Sequence, residues 1–241
     1  MRGSRAFAAA AATGLSAVLA LGSVAPASAS TPAAGTAARS VVSAAPAPFP
    51  GKTPAAVLAL SVKAAKAASS FHLHGVAVDT TGTTTMDLVI GKLGARGSIT
   101  DSSGTLQLLR VKKTVYLKAG AKYWTVNGST PAQAKLIAGK WIGVKGNGPD
   151  LKELLALTSS SYWTAQLATL KPTARVAGKV VAKLPTIGLK ATDGTIYVAT
   201  KGKPYPLLLT DPADARNIVS FTQWNAKVTF KAPKALMVIS I

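Results

Sequence analysis

The sequence predicts an α+β protein built on one large antiparallel β-sheet, and three observations support this prediction. One amphipathic helical segment precedes a long series of short β-type segments, which are separated by Gly-containing turns. A group of helical segments then interrupts the series before strand-like segments resume. The chain has 241 residues, of which 48% are hydrophobic and only 15% charged, so it can bury a core and is not typical of a disordered chain.

The N-terminal residues 1–29 have the pattern of a secretory signal peptide. Arg2 and Arg5 form a positive n-region, an Ala/Leu/Val-rich run follows, and Ala27-Ser28-Ala29 is an A-x-A cleavage site. We therefore expect export and cleavage near Ala29. A retained membrane anchor is the alternative, although the apolar run is rich in Ala and only weakly hydrophobic.

Residues 30–52 are predicted to form a linker, because a segment of Ser, Thr, Ala, Pro and Gly cannot bury a core. The folded domain is predicted over residues 53–241. It should open with a helix, since Thr53 is a suitable N-cap and Pro54 then occupies the first helical position. The expected buried face has helical spacing, with Lys63 and Lys66 off it, and consists of Val57, Leu60, Ala64 and Ala67/Ala68.

Short segments with the composition of β-strands follow the first helix. They are separated by turn residues such as Gly, Asp-Ser-Ser-Gly and Lys-Lys, which is typical of an antiparallel meander. The predicted strands are Phe71 to Thr80, Thr84 to Gly91, Ala95 to Asp101, Thr105 to Val111, Thr114 to Lys118 and Tyr123 to Val126.

Three helical segments are predicted next. Thr130-Pro131-Ala132-Gln133 has the spacing of a capping box. Asp150, with Glu153 three residues later, is expected to cap a helix over Leu151 to Leu157, and Ser160 to Leu170 is the third helix. Strands are then predicted at Ala174 to Leu184, Thr186 to Ala191, Thr195 to Thr200, Tyr205 to Thr210, Asn217 to Gln223 and Ala226 to Lys231.

Several predicted strands carry apolar side chains on one face. Met86 and Leu88, for example, share a face because side chains alternate along a strand, whereas Asp87 lies on the other. A sheet with one apolar face must cover it with helices or curl around it. The candidate ligand-binding residues of an apolar cavity, for which a filled core is the alternative, are Met86, Leu88, Ile90, Leu106, Leu108, Leu117, Val198, Leu207 and Leu209.

Short motifs occur in the order of these elements. They are Ser70-Phe71-His72-Leu73-His74-Gly75, Gly97-Ser98, Val115-Tyr116-Leu117, Tyr123-Trp124, Lys201-Gly202-Lys203-Pro204-Tyr205-Pro206 and Ile218-Val219-Ser220-Phe221-Thr222-Gln223-Trp224-Asn225. With the order of helix, meander, helical insertion and returning strands, they make residues 55–233 resemble the actinobacterial lipid-carrier proteins of the LppX/LprG type, which share the LolA/LolB-like fold.

This resemblance implies a strongly curved antiparallel sheet, or half-barrel, with helices packed on its concave side. It also implies an apolar cavity for acyl chains, and a carrier or binding function for lipids or other amphiphiles in the cell envelope. Carriers of this type mostly begin at a lipidated Cys, and the chain has no Cys. We therefore expect a secreted member without a lipid anchor.

Few residues are available for catalysis or metal binding. The chain has 8 Asp and Glu residues, 2 His and no Cys, which excludes a thiolate metal site and a Cys nucleophile. His72 and His74 lie two residues apart and should project from one strand face, but Asp79 falls on the other face by alternation. Ordinary strand residues are therefore favoured over a zinc site, and we expect neither an enzyme nor a cofactor.

The net charge of +20 predicts an anionic partner. Loss of Arg2 and Arg5 with the signal peptide would lower this charge by two, to +18. Export and scattered Lys residues argue against nucleic acid, so an anionic membrane surface or a cell-wall polymer is the expected partner, with solubility alone as the alternative role of the charge. The alternative function is a secreted cationic structural or adhesion module that binds cell-wall polymers.

Overall fold

The computed structural model of the chain describes residues 48–145, 149–234 and 237–240, so the predicted signal peptide lies outside the described residues. The helices are α1 (Pro54–Ala67), α2 (Ala121–Val126), α3 (Pro131–Ile137), α4 (Pro149–Leu157) and α5 (Ser160–Thr169). The strands are β1 (Ser70–Asp79), β2 (Gly82–Gly91), β3 (Gly94–Asp101), β4 (Gly104–Val111), β5 (Thr114–Ala119), β6 (Ile142–Lys145), β7 (Ala174–Val176), β8 (Val180–Val181), β9 (Leu184–Ala191), β10 (Gly194–Ala199), β11 (Pro206–Thr210), β12 (Ile218–Thr222) and β13 (Met237–Ser240).

The described strands form one large, open and curved sheet. Their order is β13-β6-β5-β4-β3-β2-β1-β12-β11-β10-β9-β7, and the short β8 pairs with β9 beside this path. Described neighbours pair antiparallel except at one edge, where β13 runs parallel to β6. The predicted fold class, an α+β half-barrel, is confirmed.

The helices cover one face of the sheet, the inner face, and share one hydrophobic core with it. Val57 of α1 and Trp163 of α5 belong to the same cluster as Leu73, Leu88 and Leu108 from the strands. Each large aliphatic side chain buried in such a core contributes about 1.5 to 3 kcal/mol. The prediction that helices pack on the concave side is therefore confirmed. Within the described residues, no helix is both long and apolar enough to cross a membrane.

Helix α1 begins where the sequence predicts, but its buried face differs. Thr53 is the N-cap, and its Oγ1 accepts a hydrogen bond from the Ala56 amide at 3.2 Å. The buried side chains of the helix are Val57, Leu58, Ser61, Val62 and Ala65, whereas Leu60 and Ala64 are half-buried, Ala67 is exposed and Ala68 is buried after the helix end. The buried face of α1 is rotated from the predicted one because the helix packs against both α5 and the sheet.

The predicted strand over Tyr123 to Val126 is wrong, because these residues lie in α2. Aromatic and β-branched residues are typical of strands, but here Tyr123 and Trp124 fill the core from a short helix that follows Gly120. The two rings pack edge to face at 5.3 Å. The Trp124 Nε1 atom donates to the carbonyl oxygen of Ala119 at 3.2 Å, which fixes the indole.

The three later helices occupy the predicted segments. The Gln133 amide donates to Thr130 Oγ1 at 3.3 Å and the Thr130 amide donates to Gln133 Oε1 at 3.1 Å, so the capping box is confirmed. The predicted cap by Asp150 and Glu153 involves side chains outside the described ones. Helix α4 begins at Pro149, a favoured first residue because Pro lacks the amide hydrogen that would be unpaired there.

The predicted strand over Ala174 to Leu184 is divided into β7 and β8. Gly178 lies between them against β9, where a Cβ atom would come within 1.6 Å of the Thr186 carbonyl oxygen. Ala182 and Lys183 then adopt positive φ angles of 50° and 66°, which reverses the chain into β9. The close approach at Gly178 and the tight turn therefore interrupt what the pattern presents as one strand.

Residues 226–234, the C-terminal strap, cross the other face of the sheet, the outer face. The predicted strand over Ala226 to Lys231 is wrong, because these residues pair with no described strand. Their alternation reflects packing instead: Val228 and Phe230 are half-buried, and a Cβ atom on Gly94 would come within 2.7 Å of the Phe230 ring. The strap leads towards β13, and the sequence predicts neither β13 nor β6.

The end of the predicted linker is held against the domain by Arg175 of β7. The Arg175 guanidinium donates to the carbonyl oxygens of Pro48 at 3.1 Å and Phe49 at 2.8 Å, and also to that of Lys52. The Phe49 side chain packs against the hydrophobic core. Residues 48–52 are therefore part of the folded body.

Candidate ligand-binding site

The nine predicted cavity residues are all buried, with exposed fractions between 0% and 8%. Eight of them belong to the core cluster that joins the inner face to the helices. The ninth, Leu207, is also buried and lies at the register shift that β10 shows between Tyr197 and Val198. The structure therefore brings eight of the nine predicted residues together in one apolar core.

A row of paired residues crosses β2, β3, β4 and β5 on the inner face. Leu88 pairs with Gly97, which pairs with Leu108, which in turn pairs with Leu117. Gly97 contributes no side chain to this row, and its φ of +154° favours glycine. A Cβ atom at Gly97 would come within 1.9 Å of the Asp87 carbonyl oxygen. The sheet therefore requires glycine in the middle of its apolar row.

A small cavity lies between α5 and the strands β11 and β12. Its volume is about 60 Å³, and its lining includes Trp163, Leu167, Leu209, Val219 and Phe221. A cavity of this volume holds only a few water molecules, so it is smaller than an acyl chain. An acyl chain at this place would require α5 to move away from the sheet.

An aromatic cluster packs beside this cavity. The Tyr205 ring stacks on Trp224 with centroids 4.6 Å apart and planes within 4°, and Phe71 lies 5.0 Å from Trp224. Asn225 holds the cluster: its Nδ2 donates to Tyr205 Oη at 2.6 Å and its Oδ1 accepts from the Ser69 amide at 2.9 Å. Three of the motifs that carry the family resemblance meet here, so they act together in packing.

A larger groove, the α1 groove, lies between α1 and the residues that follow α5. Its volume is about 690 Å³. Its lining is largely apolar with three Lys side chains, and comprises Ala55, Leu58, Ala59, Val62, Lys63, Lys66, Ala168, Leu170, Lys171, Pro172 and Thr173. The sequence analysis missed this groove. The available signal was the pair Lys63 and Lys66 beside alanines on one helix, but the opposite wall comes from a distant part of the chain.

The two histidines share a carboxylate on the outer face. His72 Nε2 lies 3.0 Å from Asp87 Oδ1, and His74 Nδ1 lies 3.4 Å from Asp87 Oδ2. Burial raises the pKa of Asp87, but the hydrogen bonds and charges of the two histidines outweigh it, so the pKa is lowered from 3.8. Asp79 is the last residue of β1, and its carboxylate accepts a hydrogen bond from the Thr81 amide in the following turn at 2.7 Å. In the part of the chain that the structure describes, no group of three or more His, Asp or Glu residues could hold a metal ion.

The positive charge is largely unpaired. Among the described residues, the ion pairs are Arg216 with Asp214 at 2.6 Å and the two histidine contacts with Asp87. No described Lys is therefore within ion-pair distance of a described acidic side chain. Two further surface grooves, of about 530 and 610 Å³, flank the C-terminal strap on the outer face.

Comparison with known proteins identifies the fold. No family model and no curated protein sequence matches the chain. Among solved structures, LprF from Mycobacterium bovis is similar with a TM-score of 0.53 and 16% identity, over 75% of this chain and 96% of that one. The lipoprotein LppX from Mycobacterium tuberculosis gives a TM-score of 0.48 and 16% identity, over 74% and 98% of the two chains. The likeness to LprF confirms that the chain has the fold of the LppX/LprG type.

Proposed function

We propose that the protein is an exported, non-enzymatic carrier or binding protein for lipids or other amphiphiles in the cell envelope. The observation that carries this proposal is the apolar inner face, where eight of the nine predicted residues are at most 8% exposed and share one core with the helices. The LppX/LprG-type fold supports it. The ligand would lie between the inner face and the helices.

Burial alone can hold such a ligand. Leu88, Leu108 and Leu117 present aliphatic side chains in one row, and each methylene moved from water into such surroundings gains about 0.8 kcal/mol. An acyl chain therefore binds there without a specific polar contact. Aliphatic walls offer no group to transfer a proton or attack a bond, so they suit a carrier better than an enzyme.

Native mass spectrometry and lipid extraction of the secreted protein test this proposal. We expect lipid to co-purify, or to be taken up from vesicles by delipidated protein. A protein that remains lipid-free in both experiments would contradict the proposal and favour the cationic wall-binding module. The small size of the cavity beside Trp163, about 60 Å³, is the observation that favours this second candidate.

Tryptophan substitutions on the inner face distinguish a cavity from a filled core. In a cavity, Leu88→Trp or Val198→Trp should reduce lipid loading with little change in the free energy of unfolding, because spare volume receives the ring. In a filled core the same change should destabilise by about 1 to 3 kcal/mol. Leu93→Trp is the control, since Leu93 is 73% exposed. Destabilisation without lipid binding by the parent protein would show that these residues only form core.

Export is part of the same proposal. Arg2, Arg5 and the Ala27-Ser28-Ala29 site support it, and the 241 residues contain no Cys to which a lipid could be attached. N-terminal sequencing of secreted protein should start at or near Ser30. An intact N-terminus in a membrane fraction would support the retained anchor instead.

A further inference from the structure

The α1 groove has an apolar floor with room above it. Leu58 and Val62 are 5% and 8% exposed and form its base together with Ala55 and Ala59. Ala55 and Ala59 are four residues apart and therefore lie one above the other on the helix. Because alanine side chains are short, this face of α1 leaves open the space that longer side chains would occupy.

Three Lys side chains line the groove above this floor. Lys63 and Lys66 are three residues apart and project from one side of α1, and Lys171 projects from the opposite wall. Helix α1 contains no Asp or Glu, and none of the three Lys forms an ion pair with a described residue. Three like charges around one groove repel one another, and an anion between them relieves this repulsion.

We propose that the α1 groove binds one anionic amphiphile, with a phosphate headgroup between Lys63, Lys66 and Lys171 and the adjoining acyl segment on the floor. Lysine ammonium groups bind phosphate as point charges, and the apolar floor gains affinity only from a ligand that carries a chain. This inference rests on the proposed function for the class of ligand. It adds headgroup selectivity, which the aliphatic inner face cannot provide.

The test compares lysophosphatidylglycerol with lysophosphatidylcholine of the same acyl chain, below their micelle concentrations. The parent protein should bind the anionic lipid about tenfold more tightly, which corresponds to about 1.4 kcal/mol. The variant Lys63→Gln/Lys66→Gln/Lys171→Gln should lose this preference. The control variant Lys113→Gln/Lys201→Gln/Lys203→Gln removes the same charge from exposed turns and should keep it.

A second variant covers the possibility that the triple variant folds poorly. Ala59→Glu places a carboxylate on the floor at an exposed helical position, where Glu is a good helix former. It should also abolish the preference while retaining the circular dichroism spectrum and melting temperature of the parent. Retention of the preference by a folded Ala59→Glu protein would overturn the proposal.

The remaining outcomes separate this inference from the proposed function. If the parent binds both lysolipids equally, the groove has no headgroup selectivity and only this inference fails. If both triple variants lose the preference for the anionic lipid equally, the selectivity comes from the net charge of the protein, and the proposal that the α1 groove binds the headgroup is overturned. Inorganic phosphate that binds as tightly as lysophosphatidylglycerol would show that the floor is unused. A parent that binds neither lysolipid overturns this inference, and the lipid extraction and vesicle uptake described above then decide the proposed function separately.

Discussion

At the scale of single residues, Gly97 is a position in the middle of three paired strands that has no room for a side chain. It pairs with Leu88 on one side and Leu108 on the other. Its positive φ and the close approach of the Asp87 carbonyl oxygen leave no place for a side chain. The residue carries no chemistry, but the apolar row of the inner face depends on it.

We predict that Gly97→Ala lowers the free energy of unfolding by about 3 kcal/mol or more, because it combines backbone strain with a steric clash. Gly82→Ala is the matched control, since Gly82 also has a positive φ, +137°, but a Cβ atom there meets no atom within 4 Å. The control should lose only the cost of strain, about 1 to 3 kcal/mol. Urea denaturation measures both losses of unfolding free energy. Equal losses in the two variants would show that the clash at Gly97 contributes nothing.

Asp87 should give the outer face a pH-dependent contribution to stability. Because its pKa in the fold is lowered from 3.8, this contribution is present above pH 3.8 and is lost as the pH falls through the lowered value. Asp87→Asn should therefore destabilise at neutral pH, by less than about 1 kcal/mol because the side chain is 51% exposed. The difference should shrink as the pH falls below 3.8. Chemical denaturation over a pH series measures it, and a constant difference would contradict the prediction.

At the scale of elements, local signals predict the parts of the fold that local contacts stabilise. Thr53 and the Thr130/Gln133 box mark helix starts by hydrogen bonds within four residues, and turns mark the meander hairpins. The local sequence pattern predicts the wrong element where contacts between residues distant in sequence decide the structure. Tyr123 and Trp124 are strand-like residues that the core accommodates in a helix, and Phe230 alternates with its neighbours because it packs on Gly91 and Gly94.

Phe230 should hold the C-terminal strap on the sheet. We predict that Phe230→Ala lowers the free energy of unfolding by about 1 to 3 kcal/mol, less than for a fully buried Phe because the ring is only half-buried. Thr229→Ala, at an exposed neighbour in the same strap, should have little effect. Hydrogen exchange should also quicken in β6 on loss of Phe230, because the strap leads towards its partner β13. Similar behaviour of the two variants would mean that the strap does not depend on this ring.

The candidate sites differ in how far the sequence predicts them. Alternation places Leu88 and Leu108 on one face from local periodicity alone. The α1 groove requires Lys171 to face α1 across a distance in sequence of more than a hundred residues. A contact of that kind follows from tertiary packing, which neither periodicity nor a short motif encodes.

At the scale of the whole molecule, the charge should govern association with membranes. The protein should bind anionic vesicles and leave zwitterionic vesicles largely free, because each Lys near an anionic surface adds about 1 kcal/mol. Added salt should weaken binding steeply, since screening shortens the reach of these charges to about 8 Å at physiological ionic strength. Sedimentation with both vesicle types over a salt series measures this. Equal binding to anionic and zwitterionic vesicles would show that charge does not govern association with membranes.

The hydrogen bonds of Arg175 also determine where a pulling force on the chain enters the fold. Arg175 lies on β7 and donates to the carbonyl oxygens of Pro48, Phe49 and Lys52, so these residues are attached to the sheet. A pull on the chain before residue 48 loads the guanidinium and β7 before it reaches the start of α1 at Pro54. The helix that forms the floor of the α1 groove therefore bears no load applied before residue 48 until these hydrogen bonds break.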